Sequence, residues 1–335
     1  MAARPRALIT SWFSEPGDAM DRFLQEHGVE TVLNRWHEGR NEEELISLLR
    51  GIDAAIVSVD PFTRRVLASA KSLKVVSRVG IGYDSVDVEA ATEFGIPVCN
   101  TPAANKRAVA EFAMTLLLAS ARKLLDNVQE VVAGGWTRHI GRDLAEQRLG
   151  IIGLGTIGKE VALRARAFEM QILAHDPVRD ETFAARHDIT YVALEQLLTA
   201  SDYVMLTVSL TAATRHLINA ERLALMAPHA VLINVARGGV VDTAALCAAL
   251  ERKTIAGAAL DVFEDEPLDR EHPLRRYPNV LMTPHVAGSS LDSFRTVGLT
   301  AAENAVAVLR GERPRWIVNP QALGKLGGCG AGGTA

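Results

Sequence analysis

The stretch "LGIIGLGTIGKEVALRARAFEMQILAHDP", Leu149 to Pro177, decides the fold. A short apolar run meets a glycine turn. A helical pattern follows, then a second apolar run and the acidic residue Asp176. The spacing Gly153-x-Gly155-x-x-Gly158 has a physical reading. Gly153 allows a tight turn, Gly155 lets a pyrophosphate approach the backbone, and Gly158 lets helix and strand pack closely. The amides of Thr156 and Ile157 sit near the positive end of the helix dipole, where phosphate is favoured. Asp176 lies about 20 residues beyond the turn, where a carboxylate accepts from ribose hydroxyls. Its charge repels a 2′-phosphate, so NAD is expected rather than NADP. The bland alternative is a structural turn with a solvated aspartate. His175 beside it reads as a bystander, because strand neighbours point to opposite faces.

This unit begins late in a chain of 335 residues. Upstream, "RALIT" (6–10), "TVLN" (31–34), "AAIVSV" (54–59), "KVVSRV" (74–79) and "IPVCN" (96–100) read as strands separated by helical patterns. Such alternation implies a parallel sheet covered on both faces. Downstream, strands are expected at 149–153, 170–174, 202–207, 230–235, 256–261 and 279–283. A helical stretch at about 290–310 leads to "RPRWIVNP", too short for a domain, which is expected to return to the first one. The fold class is therefore α/β with two doubly wound parallel-sheet domains. A Rossmann NAD-binding domain (102–285) is inserted in a flavodoxin-like substrate domain (1–101 and 286–320). The Rossmann part includes one long helix at about 105–132, apolar on several faces, which suits core burial or a subunit interface. The glycine-rich 321–335 reads as a disordered tail.

Composition narrows the function. Hydrophobic residues make up 48% and the net charge is −4, with no basic run to suggest nucleic acid. No apolar run approaches the roughly 20 residues of a membrane span. The N-terminus is too short and arginine-broken for a secretory signal. Cys99, Cys247 and Cys329 are scattered and lack metal spacing, which suggests reduced thiols in a cytoplasm and no metal site.

Three strand ends carry candidate chemistry. "VLINVARGG" places Arg237 just past a strand. "AGAALDVFEDEP" places Asp261 at the end of the next, with Glu266 in the loop beyond it, and "NVLMTPHVAG" places His285 past a third. In a parallel sheet these ends share one edge, where open α/β sheets bind ligands. Reducing a 2-keto acid requires a hydride at carbon and a proton at oxygen. A histidine, which titrates near neutrality as a residue type, donates that proton, so His285 is the candidate acid. Glu266 orients the imidazole and favours its charged form. The planar fork of Arg237 grips the substrate carboxylate and carbonyl. Each has a plain alternative: a surface arginine, a solvated acidic loop, or His272 in "REHPL" as the acid.

"GIIGLGTIGKEVA", "NVARGGVVD", "GAALDVFEDEPL" and "TPHVAG", with "VSRVGIGYDSVD" and "NTPAANKRAVAE", resemble the successive signatures of the D-isomer-specific 2-hydroxyacid dehydrogenases. The phosphoglycerate and hydroxypyruvate reductase branch is nearest in pattern. The resemblance spans about 50–320. It implies a homodimer built partly by the 105–132 helix, NAD in a cleft, and Arg237, Glu266 and His285 as the catalytic set. It implies that amides around Val79, Gly80 and Ile81 bind the substrate carboxylate, with Arg237 and His285 also touching substrate. Thr207, Val208, Val235, Ala236, Asp261 and Gly288 join the cofactor contacts. "LTVSLTAATRHLIN" departs from the family, with Thr207 where histidine or cysteine is common and Ser209 where proline is usual. Arg107 is unusual too, and reads as a phosphate contact or a solvated helix residue. A dinucleotide-sensing corepressor scaffold, without turnover, is the competing reading.

Overall fold

A computed structural model of the protein describes residues 4–35 and 40–326. One unit comprises the described residues up to Asn105 and from Ser290 onward; the other is Lys106–Ser289.

In the first unit, strands β1 (Arg6–Ile9), β2 (Glu30–Leu33), β3 (Ala54–Val57), β4 (Val75–Arg78) and β5 (Val98–Cys99) form a parallel sheet in the order β2-β1-β3-β4-β5. That order is the flavodoxin-like one. Successive side chains alternate between faces. Leu8, Ala55, Val57 and Val76 pack with Leu45, Phe62 and Val66. Ala7, Ile9, Ala54 and Ile56 pack with Leu24, Ala301 and Ala305. Each fully buried leucine or isoleucine contributes about 1.5–3 kcal/mol. The helix Leu291–Leu309 belongs to this unit, and Ser290 caps it through Ser293 N. Its small residues let it lie close, and Ser77 Oγ donates to Ala301 O at 2.8 Å. The terminal segment returns to this unit: Val318 N donates to Val98 O at 2.8 Å, and Asn319 Oδ1 accepts from Val98 N at 2.7 Å.

The second unit carries β6 (Arg148–Ile152), β7 (Gln171–His175), β8 (Ile189–Tyr191), β9 (Tyr203–Leu206), β10 (Val231–Asn234), β11 (Gly257–Leu260) and β12 (Val280–Met282). All pairings are parallel, in the order β12-β11-β10-β9-β6-β7-β8. Counted from β6, this is the doubly wound Rossmann order, with its switch point between β6 and β9. Strand β8 is absent from the sequence reading: three residues at a sheet edge are too few to show a period.

The single helix expected at about 105–132 is two, Lys106–Ala121 and Leu124–Val132. Lys123 adopts a left-handed φ of 51°, which ends one helical path and starts another. Ala110, Ala113, Met114 and Leu117 of the first helix are buried. The second helix buries none of its residues. The expected tail at 321–335 is corrected in part. Pro320–Ala322 form a 3₁₀ turn and Leu323–Leu326 a short helix. Beyond 326 the expectation lies outside the described residues, as does Cys329. Cys99 is buried and Cys247 half-buried, and both are free thiols.

Candidate active site

The glycine turn follows β6 and opens the helix Thr156–Ala167. Gly153 has φ +95°, and a Cβ there would lie 2.8 Å from Val208 N. A Cβ on Gly158 would lie 2.2 Å from Gly153 O. Both positions therefore need glycine to let helix, turn and neighbouring strand meet. Gly155 differs: a Cβ there meets nothing within 4 Å. Open space before a helix N-terminus of this length is the cradle that a pyrophosphate would fill. Thr207, atypical in sequence, closes the turn from behind by donating Oγ1 to Gly153 O at 2.6 Å. Asp176 stands directly after β7, half-buried, its Oδ1 accepting from Val178 N at 2.8 Å. His175 turns to Val192 O at 3.2 Å. Val235 and Ala236 are buried at the end of β10, whereas Val208 and Gly288 are partly exposed. These residues suit a dinucleotide with a free ribose hydroxyl.

Arg237, Glu266 and His285 follow β10, β11 and β12 at the same sheet edge. Glu266 Oε2 lies 2.7 Å from His285 Nδ1, and Glu266 Oε1 accepts from Phe263 N at 3.0 Å. Burial pushes the Glu266 carboxyl up, but the hydrogen bond and charge of His285, the Phe263 amide and the charge of Arg237 together hold it below the ordinary glutamate range. Arg237 follows β10, two strands from the one that precedes His285. It caps a 3₁₀ turn, and its guanidinium donates to Ala236 O at 2.7 Å. His285 has φ 52°, an uncommon state for a residue other than glycine.

The structure also shows what holds that conformation. Asp261, fully buried, accepts from Thr283 Oγ1 at 2.6 Å, Val286 N at 2.9 Å and Ala287 N at 2.8 Å. His285 N donates to Asp261 O at 2.8 Å. Burial pushes the Asp261 carboxyl up despite these donors. Its side chain is committed to the loop that carries His285, whereas the sequence assigned it to the cofactor. His272, the rival acid, instead accepts from Leu274 N at 3.2 Å and caps a 3₁₀ turn.

Two supports escaped the sequence reading. Asn234 accepts from Ala236 N at 3.0 Å and donates to Arg237 O at 2.9 Å, shaping the turn that presents the arginine. Glu264 pairs with His216 Nε2 at 2.6 Å and accepts from Thr243 N at 3.1 Å, tying the acidic loop to two neighbours. Alternate glutamates in "EDEP" were the available signal, since one turn can aim both at different partners. Arg107 is exposed on the first turn of its helix. In the other unit, Val79, Gly80 and Ile81 directly follow β4 and are partly exposed. Among the described residues there is no metal-ligand cluster and no helix long and apolar enough to cross a membrane.

Residues 114–287 match the family model described as D-isomer specific 2-hydroxyacid dehydrogenase, NAD binding domain. A glyoxylate reductase of Korarchaeum cryptofilum is 37% identical over 329 residues, covering 96% of this chain and 97% of that protein. A D-3-phosphoglycerate dehydrogenase of Methanocaldococcus jannaschii is 41% identical over 330 residues, 96% of this chain but 62% of that longer protein. A crystal structure of the NADPH-dependent glyoxylate/hydroxypyruvate reductase of Sinorhizobium meliloti, in complex with NADP and malonate, superposes with a TM-score of 0.82 at 33% identity, covering 96% of this chain and 98% of that one.

Proposed function

The chain belongs to the D-isomer-specific 2-hydroxyacid dehydrogenases, and on that premise we propose that it reduces a small 2-keto acid such as glyoxylate or hydroxypyruvate with NADH as cofactor. The observation that carries this reading is the His285–Glu266 pair at 2.7 Å, with Arg237 after a strand of the same sheet, at the carboxyl edge of a Rossmann sheet.

The bound cofactor supplies the hydride. The protein does the rest. Glu266 holds Nδ1 of His285, which leaves Nε2 to give its proton to the substrate carbonyl oxygen. The carboxylate offsets the charge of the imidazolium before that transfer. Arg237 binds the carboxylate and polarises the carbonyl through its planar fork. The amides of Gly80 and Ile81 take the substrate carboxylate, whereas Val79 N, included in the sequence reading, is spent on Val57 O at 3.0 Å. Gly155, Thr156 and Ile157 hold pyrophosphate, and Asp176 reads the ribose. In the oxidative direction His285 accepts the proton.

A homodimer belongs to the same reading. Leu124, Val128 and Val131, at helical spacing, are exposed with Leu125, Val132, Trp136 and Ile140. Apolar side chains exposed at helical spacing suit an association surface. The scattered free thiols support a cytoplasmic location. No observation favours the non-catalytic scaffold.

The test is a substrate panel. NADH oxidation is followed with glyoxylate, hydroxypyruvate, pyruvate and phosphohydroxypyruvate. Turnover with one or more supports the assignment; tight NADH binding with turnover of none rejects it.

A further inference from the structure

The loop after β11 carries two glutamates that face different partners. Glu266 pairs with His285. Glu264 is held by donors from two other segments: His216 Nε2 lies 2.6 Å from its Oε1, and Thr243 N donates to its Oε2 at 3.1 Å. His216 stands in a left-handed conformation, φ 49°, and its own amide donates to Gly239 O at 2.8 Å. Thr243 opens the helix Thr243–Glu251. One carboxylate therefore joins the segment after β9, the turn after β10 and the loop after β11. The peptide it fixes lies between Phe263 and Glu264. Gly238 closes on that same peptide, since a Cβ there would lie 1.8 Å from Phe263 C and 2.3 Å from Glu264 N. The adjacent amide, Phe263 N, is the donor that holds Glu266 Oε1 at 3.0 Å. A line of contacts thus runs from His216 and Thr243 through Glu264 and Phe263 to Glu266, whose Oε2 meets His285 Nδ1 at 2.7 Å.

Charge state decides whether this line holds. A carboxylate only accepts, so both contacts are satisfied when His216 presents Nε2–H. Protonating the imidazole keeps that donor and adds attraction. Burial pushes the Glu264 carboxyl up, but the bonds from Thr243 and His216 and the charge of the histidine hold it below the ordinary glutamate range. The pair accordingly survives as pH falls, until the lowered carboxyl takes a proton. A carboxamide behaves differently. Its single oxygen serves Thr243 N, so its NH2 group faces the ring, and that contact is a hydrogen bond only while Nε2 is an unprotonated acceptor. Around the pair stand Asp242, whose Oδ1 accepts from Ala245 N at 2.9 Å, and Arg215 beside His216 in the chain. Asp265, Cys247 and His272 line one hollow with Glu264 and Thr243, and His272 Nδ1 accepts from Leu274 N at 3.2 Å.

We propose that Glu264 is a positioning residue for the reaction: paired with His216, it fixes the Phe263–Glu264 peptide and through it the carboxylate that orients the catalytic imidazole. This rests on the reading of Glu266 and His285 as the acid–base dyad. An ionised side chain at 264 keeps the dyad aligned whether the ring of His216 is neutral or charged, which a neutral carboxamide cannot do.

The test measures kcat with the best keto acid of the panel, and NADH affinity by fluorescence, at about pH 8 and about pH 5.5, which bracket the charge change of histidine as a residue type. Each variant is compared with wild type at the same pH, so that the pH dependence of the wild-type chemistry cancels. Glu264→Gln should stay within about twofold of wild type at the higher pH, inside the scatter of such comparisons. At the lower pH its kcat should fall about tenfold, the size of one hydrogen bond turned to donor against donor. The double variant Glu264→Gln with His216→Gln sets two carboxamides together that do not titrate, and should recover the lower-pH kcat. NADH affinity should hold within about twofold throughout. Equal loss at both pH values, or a lower-pH loss that persists in the double variant, would make Glu264 an ordinary structural residue, and no loss would remove its role. Should Glu264→Gln fail to fold, His216→Leu, which deletes the donor, should lower kcat about tenfold at both pH values, and His216→Gln should retain it. An unchanged kcat in His216→Leu would overturn the proposal. A wild type that turns over no keto acid of the panel would fail the dyad reading first, and the proposal with it.

Discussion

At the residue scale the site rests on two acidic side chains whose environments differ. Glu266 is held below the ordinary glutamate range by His285, the Phe263 amide and Arg237 against the opposing pull of burial. Its folded value is depressed, so its contribution to stability is present in full above the ordinary range and is lost as pH falls through the lowered value. It therefore stays ionised across the neutral range and stands as a counter-charge 2.7 Å from His285 Nδ1. Keto-acid reduction consumes a proton and should decline on the alkaline side. Glu266→Gln should move that alkaline limb to lower pH, because the imidazolium loses its counter-charge; a pH profile of kcat/KM with an unmoved limb would contradict this. Asp176 is proposed to act on the cofactor instead. Asp176→Ala should raise the efficiency with NADPH relative to NADH by about tenfold or more, the worth of about 1.4 kcal/mol, and an unchanged ratio would mean that another group reads the ribose. The types and places of Arg237, Glu266, His285 and Asp176 were legible in the sequence because each directly follows an apolar strand or sits in the loop beyond it. The commitment of Asp261 to Thr283, Val286 and Ala287 was not. It depends on two strand ends lying side by side, which no spacing states.

At the element scale the turns after the strands are locked by backbone contact. A Cβ on Gly238 would lie 1.8 Å from the Phe263 carbonyl carbon, so the turn that presents Arg237 rests directly on the loop that carries Glu266. Gly238→Ala should cost roughly 1–3 kcal/mol of stability by overpacking. It should also lower kcat/KM by displacing Arg237 from the dyad. Thermal melting and steady-state kinetics on the same preparation check both, and a fully active, fully stable variant would show that the contact relaxes at no cost. The strands of both sheets were legible from their apolar runs, save the edge strand β8. The break at Lys123 was not, because lysine carries no turn signal and the apolar pattern runs on through it. Only the left-handed backbone reveals that Leu124–Val132 is a separate, uncovered element.

At the scale of the whole molecule, two parallel sheets with different strand orders share one chain, and the terminal helix completes the first. The sequence foretold this insertion through the late glycine turn and the short return segment. The proposed self-association was readable only as an over-apolar helix, since a face is known to be uncovered only when its neighbours are in place. Val128→Asp combined with Val131→Asp should convert a dimer to a monomer by light scattering; a wild type that is monomeric at assay concentration would remove the dimer from the account.

The most direct measurement of the central claim is the rate of NADH oxidation with the best keto acid of the panel, by wild type and by His285→Ala, with NADH affinity measured on both. The account predicts turnover by wild type, unchanged NADH binding in the variant, and a kcat lower by about 10²–10⁴, the usual contribution of a positioned acid. A variant that turns over at the rate of wild type would contradict it.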